Sequence, residues 1–328
     1  MNETLDNLSN GKEANWTQLS ITDEDLYLKY AEMCEEPYCY ENNWAFLVQE
    51  SRYTAVRYWD GENLCTLVSK NASSEFVFLF VAPFNLRLIL PKIQRIVRYI
   101  IHSTGKRVIV RKLPVYLAEQ ISTYSKNHLV EPDKFSFANE VPEDIFPQVI
   151  VSTLPIIQMD GHSWMRVRNH VSHFERQHTF RFMSLTSEHV KDAQLAISAW
   201  NSNKNLADGD SGLLGIDISA YRVFAENFAH RIDDQLYFAK LAYADNRPIG
   251  FQLAGRVSKE AAALYCNIVL TTTRGGAERC LKEFCVYLAK HGVQYLNLGG
   301  SEVQGLYKYK CKFQPIAYVK TVDIELGV

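Results

Sequence analysis

The sequence predicts an α/β (α+β) protein built from two similar halves in tandem, and three observations carry that prediction. Hydrophobic residues recur at helical and strand periods in alternation along most of the chain. One order of elements (helices, hairpin, strand, helix, strand, helix, strand) is met twice. The 328 residues are 47% hydrophobic and 22% charged, which is enough apolar material for two cores of ordinary size. The halves are assigned to residues 1–150 and 151–328, with the connection between them near residues 145–160.

In the first half, residues 1–20 are polar, and Asp23–Met33 has Leu26, Tyr30 and Met33 on one helical face. Tyr53–Trp59 and Leu64–Ser69 read as strands joined at Asp60-Gly61, a hairpin turn pair. Glu75–Val81 is apolar enough for a buried strand. Leu86–His102 places Leu90, Ile93, Val97, Ile100 and Ile101 at helical spacing before Gly105 ends the helix. Arg107–Val110 reads as a strand and Val115–Tyr124 as a helix. Glu131-Pro132 and Val141–Pro147 are rich in turn residues.

The second half is more legible. Trp164, Val167, Val171 and Phe174 share a helical face, Thr179–Met183 is a strand, and Val190, Ala193, Ile197 and Trp200 mark another helix. Gly209–Gly215 is a loop, with a helix through Tyr221, Phe224 and Phe228 after it. Leu236–Tyr243 and Ile249–Val257 are strands around the Asp245-Asn246-Arg247-Pro248 turn, followed by the strand Ala262–Leu270. Ala277–Lys290 is amphipathic, with Leu281, Phe284, Cys285 and Leu288 inward and Gly292 closing it. Val293–Leu298 is a strand, Glu302–Phe313 a helix, and Ala317–Glu325 a closing strand.

Composition excludes several classes. A net charge of −2 gives no global attraction to nucleic acid or anionic lipid, so such binding needs a local patch. The seven cysteines lack CxxC spacing, which argues against a disulfide framework or structural zinc. Cys266, Cys280 and Cys285 fit a core in a reducing cytoplasm. MNETLDNLSNGKEANW has no signal-peptide pattern, and FVFLFVAP (76–83) is too short to span a bilayer, so no integral membrane association is expected.

Four segments can carry chemistry. Arg274-Gly275-Gly276 lies between a strand and a helix, where backbone amides and the helix dipole suit a phosphate or carboxylate. An ordinary glycine-rich helix start fits the same spacing. Glu278, in the first turn of that helix, competes with any anion. Gly299-Gly300-Ser301-Glu302 ends the next strand, on the sheet margin where ligands gather in open α/β folds. GGSEVQG is not a GxSxG elbow, so Ser301 is not expected to act as a nucleophile. Glu302 is a general base if desolvated and otherwise a helix-capping carboxylate. Lys308, Lys310 and Lys312 step around a helix by about 100° each, so one is expected to meet ligand and the rest to be solvated. Finally, His162–Arg181 is densely basic and suits phosphate contacts with a nucleotide, a tRNA end or a lipid headgroup. Its His170, His173 and His178 do not converge as a metal set on one helix face.

With these segments in view, the chain resembles the GCN5-related N-acetyltransferase (GNAT) fold. The closest likeness is to the C-terminal domain of phosphatidylglycerol lysyltransferases and to the Fem-type aminoacyltransferases. Met165–Phe174 (MRVRNHVSHF) looks like the Arg-x-x-Asn helix of those families, Tyr295–Leu306 (YLNLGGSEVQGL) like their strand–glycine turn, and Tyr309–Phe313 (YKCKF) like the aromatic-Lys-x-Lys-Phe pattern after it. The resemblance implies two GNAT-like domains, each a mixed, mostly antiparallel sheet flanked by helices, with the second catalytic. It implies aminoacyl-tRNA as donor, no bound cofactor, and a small acceptor, since the lysyltransferases' membrane domain has no counterpart in this sequence. Lys310 and Glu302 are then the catalytic candidates. Donor or substrate contacts fall to Arg274, Gly275, Gly276, Gly299, Gly300, Ser301, Lys312, Arg166, Arg168 and Asn169. CoA-using relatives carry Arg/Gln-x-x-Gly-x-Gly/Ala at the pyrophosphate loop. Here Ala277 and Arg279 stand where small residues belong, which tilts the donor away from acyl-CoA. An acyl-CoA N-acyltransferase and a non-catalytic ligand-binding protein are the alternatives.

Overall fold

Strand-forming runs of β-branched and aromatic residues build two sheets in the computed structural model. It describes residues 16–18, 23, 25–26, 29, 54–59, 64–69, 76–81, 96–115, 118–119, 135–137, 146–208, 225, 237–270, 272–301 and 303–326. The Asp60-Gly61 turn, the 86–95 part of the first long helix, the 209–215 loop, Glu302 and most of the expected helices at 23–33 and 221–228 lie outside those residues. Two compact units result, one of Met1–Gln148 with Gly300–Tyr307 and Tyr318–Val328, the other of Val149–Gly299 with Lys308–Ala317.

In the first unit the described strands are β1 (Trp16–Gln18), β2 (Thr54–Trp59), β3 (Leu64–Ser69), β4 (Phe76–Val81), β5 (Arg107–Pro114) and β6 (Phe135–Phe137). β2, β3 and β4 pair antiparallel, while β4 and β5 are parallel. Parallel neighbours need a crossover, and the helix over 96–104 lies on it, burying Ile96, Val97 and Ile100.

The second unit is built on β7 (Gln148–Ser152), β8 (Phe180–Ser184), β9 (Tyr237–Ala244), β10 (Arg247–Arg256), β11 (Ala261–Val269) and β12 (Tyr295–Asn297). Its helices are α1 (Thr153–Gln158), α2 (Met165–Gln177), α3 (Val190–Asp208) and α4 (Gly276–Lys290). α5 (Gln304–Cys311), β13 (Ala317–Val319) and β14 (Thr321–Leu326) complete the chain. Among the described residues the sheet orders are β1-β2-β3-β4-β5-β14-β6 and β13-β7-β12-β11-β10-β9-β8. Phe174 of α2 and Cys280 of α4 pack on Ala242, Ala244, Ile249 and Val269. Tyr243, pointing the other way in the same strand, donates to Asp192 of α3 at 2.6 Å, so helices cover both faces.

Two segments depart from expectation. The connection placed near 145–160 contains β7, whose Val149, Ile150 and Val151 are fully buried, and then α1. A strand covered on both faces reads as a short apolar run rather than an alternation, and the prolines flanking it imitate a turn. The closing strand at Ala317–Glu325 is two strands, divided at Lys320 and belonging to different sheets.

Cys266, Cys280 and Cys285 are in the core with no measurable exposure, and burial pushes all three thiols up. Thiolate is the reactive form. Alkylation at pH 8 is therefore expected to spare these three and to label the half-exposed Cys311, as peptide mass mapping before and after denaturation will report.

Candidate active site

The site grows from a break in the second sheet. β11 and β12 run parallel but pair only between Ala261–Ala263 and Tyr295–Asn297. β11 then continues to Val269 along β10, while β12 stays with β7 and ends at Asn297. The sheet opens as a wedge between them.

At the end of β12, Gly299 adopts φ +74°, a conformation a side chain would resist. Its N–H donates to Asn297 Oδ1 at 2.7 Å, and its carbonyl accepts from Lys310 Nζ at 3.1 Å. Lys310 is only 9% exposed, so α5 delivers a buried ammonium to the mouth of the wedge. Lys312 also turns inward. The helix stops at Cys311, which frees Lys312 from the 100° step that was expected to send all but one lysine to solvent. Lys308 is exposed.

Lys312 Nζ donates to Glu278 Oε1 at 2.7 Å, and His170 Nδ1 lies 2.9 Å from the same oxygen. Glu278 is the third residue of α4 and is 4% exposed. Burial pushes its carboxyl up, but hydrogen bonds from Lys312 and His170 and the contact with its own N–H hold it below the usual carboxylate value. The positive end of α4 is thus met by the protein's own carboxylate.

The glycines before it are explained by packing. Gly275 has φ +84°, and a Cβ there would lie 2.0 Å from the His170 carbonyl oxygen and 3.2 Å from Phe174 Cβ. At Gly276 a Cβ would meet Thr273 Oγ1 at 2.7 Å. The turn that sequence spacing offers to a ligand is closely approached by α2.

Deeper in the sheet, Lys240, Gln252 and Asn267 stand in register across β9, β10 and β11. Gln252 Nε2 donates to Asn267 Oδ1 at 2.8 Å, and Asn267 faces the buried hydroxyl of Tyr309. Lys312 Nζ lies 4.1 Å from the Tyr309 ring centre, linking this cluster to Glu278. Reading the sequence missed Gln252, Asn267 and Tyr309 as site residues. The available signal was a lone amide in each of two otherwise apolar strands, IGFQLAG and ALYCNIVL.

Arg274, Arg166 and Asn169 are exposed. Arg168 is partly buried and donates to the carbonyls of Met159 and Gly161, which brace the turn before α2. Gly300 and Ser301 belong to the first unit, where the Ser301 backbone pairs with Phe146 and its hydroxyl is buried without a partner. His178 binds Asp245 at 2.6 Å, and among the described residues no group of three or more histidine, cysteine or acidic side chains is placed to hold a metal. Nor is any described helix long and apolar enough to cross a membrane.

Two mixed sheets flanked by helices, with a wedge between parallel strands of the second, define a tandem GNAT-like fold. Solved structures share it over nearly the full chain. A conserved protein of unknown function from Bacteroides thetaiotaomicron superposes with a TM-score of 0.77 at 12% identity, over 95% of this chain and 99% of that one. FemX gives a TM-score of 0.64 at 10% identity, covering 94% and 96%. L-PGS from Bacillus licheniformis gives 0.63 at 11% identity, covering 94% and 92%. No family model and no curated protein matches the sequence. At such identities the likeness establishes fold, and function must come from the site.

Proposed function

We propose that the chain is an acyltransferase of the GNAT/Fem type that moves an aminoacyl group from aminoacyl-tRNA to the amine or hydroxyl of a small acceptor. One observation carries the choice of donor. In CoA-using GNAT enzymes the pyrophosphate needs the helix start after the glycine turn, and here the Glu278 carboxylate is buried in that first turn. A second anion there would meet like charge in a poorly solvated place. An aminoacyl ester needs no pyrophosphate cradle. The transferases FemX and L-PGS, which share the fold, support the same reading.

The chemistry is direct transfer. The acceptor's lone pair attacks the ester carbonyl carbon, forming a new C–N or C–O bond and a tetrahedral oxyanion. Collapse breaks the ester C–O bond, and the acceptor's proton ends on the released ribose hydroxyl. Lys310 supplies positive charge beside the oxyanion, while the exposed Arg274, Arg166 and Asn169 are available to tRNA phosphates. The Gly299 amide is engaged by Asn297, so oxyanion stabilisation rests on Lys310. Lys310→Met is expected to lower kcat/KM for transfer by roughly 100-fold, with the fold retained by circular dichroism.

The experiment that tests the reading is thermal stabilisation by a panel of charged tRNAs and acyl-CoAs, followed by mass spectrometry of products. Stabilisation and turnover with a charged tRNA support it. Stabilisation by CoA moves the donor to acyl-CoA, and binding without turnover leaves a ligand-binding protein.

A further inference from the structure

The wedge contains polar atoms that the protein itself leaves unsatisfied. Gln252 has no exposed surface, and its Oε1 has no hydrogen-bond partner. The buried Tyr309 hydroxyl makes no hydrogen bond of ordinary geometry either, with Asn267 as its polar neighbour. A buried polar group left in this state destabilises a fold by about 1–3 kcal/mol. Two of them around one asparagine therefore need a reason, and packing does not provide it. Asn267 stands on β11 beyond Ala263, the last residue of that strand paired with β12, so the cluster borders the opening.

The orphan atoms identify the missing chemistry. Gln252 Nε2 is held by Asn267, so its carbonyl oxygen is left only able to accept. The Tyr309 hydroxyl can accept as well. A plain acetyl or fatty acyl chain brings no donor to meet them, whereas an amine brings up to three.

We infer that Gln252, Asn267 and Tyr309 bind the amine of the acyl group being transferred, so that the wedge selects donors whose acyl chain carries a free amine over plain or N-acylated chains. This rests on the transferase reading above and narrows its donor. The three residues act as specificity-determining contacts, apart from the Lys310 charge that serves the reaction itself.

The test uses the full chain and four small probes: L-alaninamide and L-lysinamide, which carry a free amine, and propionamide and N-acetyl-L-alaninamide, which do not. Calorimetry is expected to give the first two at least roughly tenfold tighter binding than the second two. Gln252→Met should bring all four within about twofold of one another without lowering the thermal midpoint, because the orphan acceptor is gone. If Gln252→Met fails to fold, Tyr309→Phe removes only the hydroxyl and should reduce the same preference. Equal affinity for all four probes in the wild-type chain, no binding of any, or an unchanged preference in the variants overturns the inference. An ordered water satisfying the cluster predicts the last of these results. Charged-tRNA stabilisation measured in parallel separates the two claims. Response to tRNA without amine preference removes only this inference, and amine preference without any response to tRNA removes only the tRNA donor.

Discussion

Gly275→Ala is expected to destabilise the second unit by about 4 kcal/mol or more, a large share of the roughly 5–15 kcal/mol that holds a domain folded. Two effects add. The residue's φ of +84° strains any side chain by roughly 1–2 kcal/mol. The new methyl carbon would also sit 2.0 Å from the His170 carbonyl oxygen, well inside contact distance. That oxygen belongs to the backbone of α2, whose Val171 and Phe174 are buried, so it cannot swing aside as a side chain would. Gly292→Ala is the control. It has φ +77° but a Cβ there meets nothing within 4 Å, so only the conformational part, about 1–2 kcal/mol, is expected. Urea unfolding of the two variants measures both. Equal losses would mean that the close approach of α2 contributes nothing.

Glu278→Ala is expected to reduce stability at neutral pH by about 3–5 kcal/mol, the usual consequence of removing one member of a buried ion pair. It strips the partner from Lys312 and from His170 together. The pH dependence follows from the direction of the carboxyl's shift. Its folded value lies below the unfolded one, so its contribution is fully present above the ordinary carboxylate range and is lost as pH falls through the depressed value. The gap between wild type and variant should therefore narrow in acid. Unfolding measured at pH 7 and again near pH 3 checks this, and a gap that widens toward acid would contradict the assignment.

Much of the second unit could be read because its strands and helices keep clean periods. β9, β10 and β11 lie within a residue or two of where alternation and turn chemistry put them, and α4 begins one residue early. β7 was hidden because burial on both faces removes the alternation that marks a strand. The paired glycines at 275–276 read as a helix start whose amides and dipole suit an anion, whereas at Gly275 the structure shows a close approach of the α2 backbone, which spacing alone does not reveal. Glu278 shows the same limit. Its place in the first helical turn was visible, whereas its partners His170 and Lys312 are 108 and 34 residues away in sequence. Gln252 and Asn267 become a pair only through the β10–β11 register, which no periodicity reveals.

The placement of β14 bears on how the protein is made. It pairs with β5 on one side and β6 on the other, so the first sheet is joined through its middle by residues 321–326. On the ribosome, everything needed for the second unit, its short 308–317 contribution included, emerges before that strand exists. The unit that is translated first is consequently the one whose sheet is finished last. Until then β5 and β6 present unpaired edges, the kind of surface that chaperones shield in nascent chains.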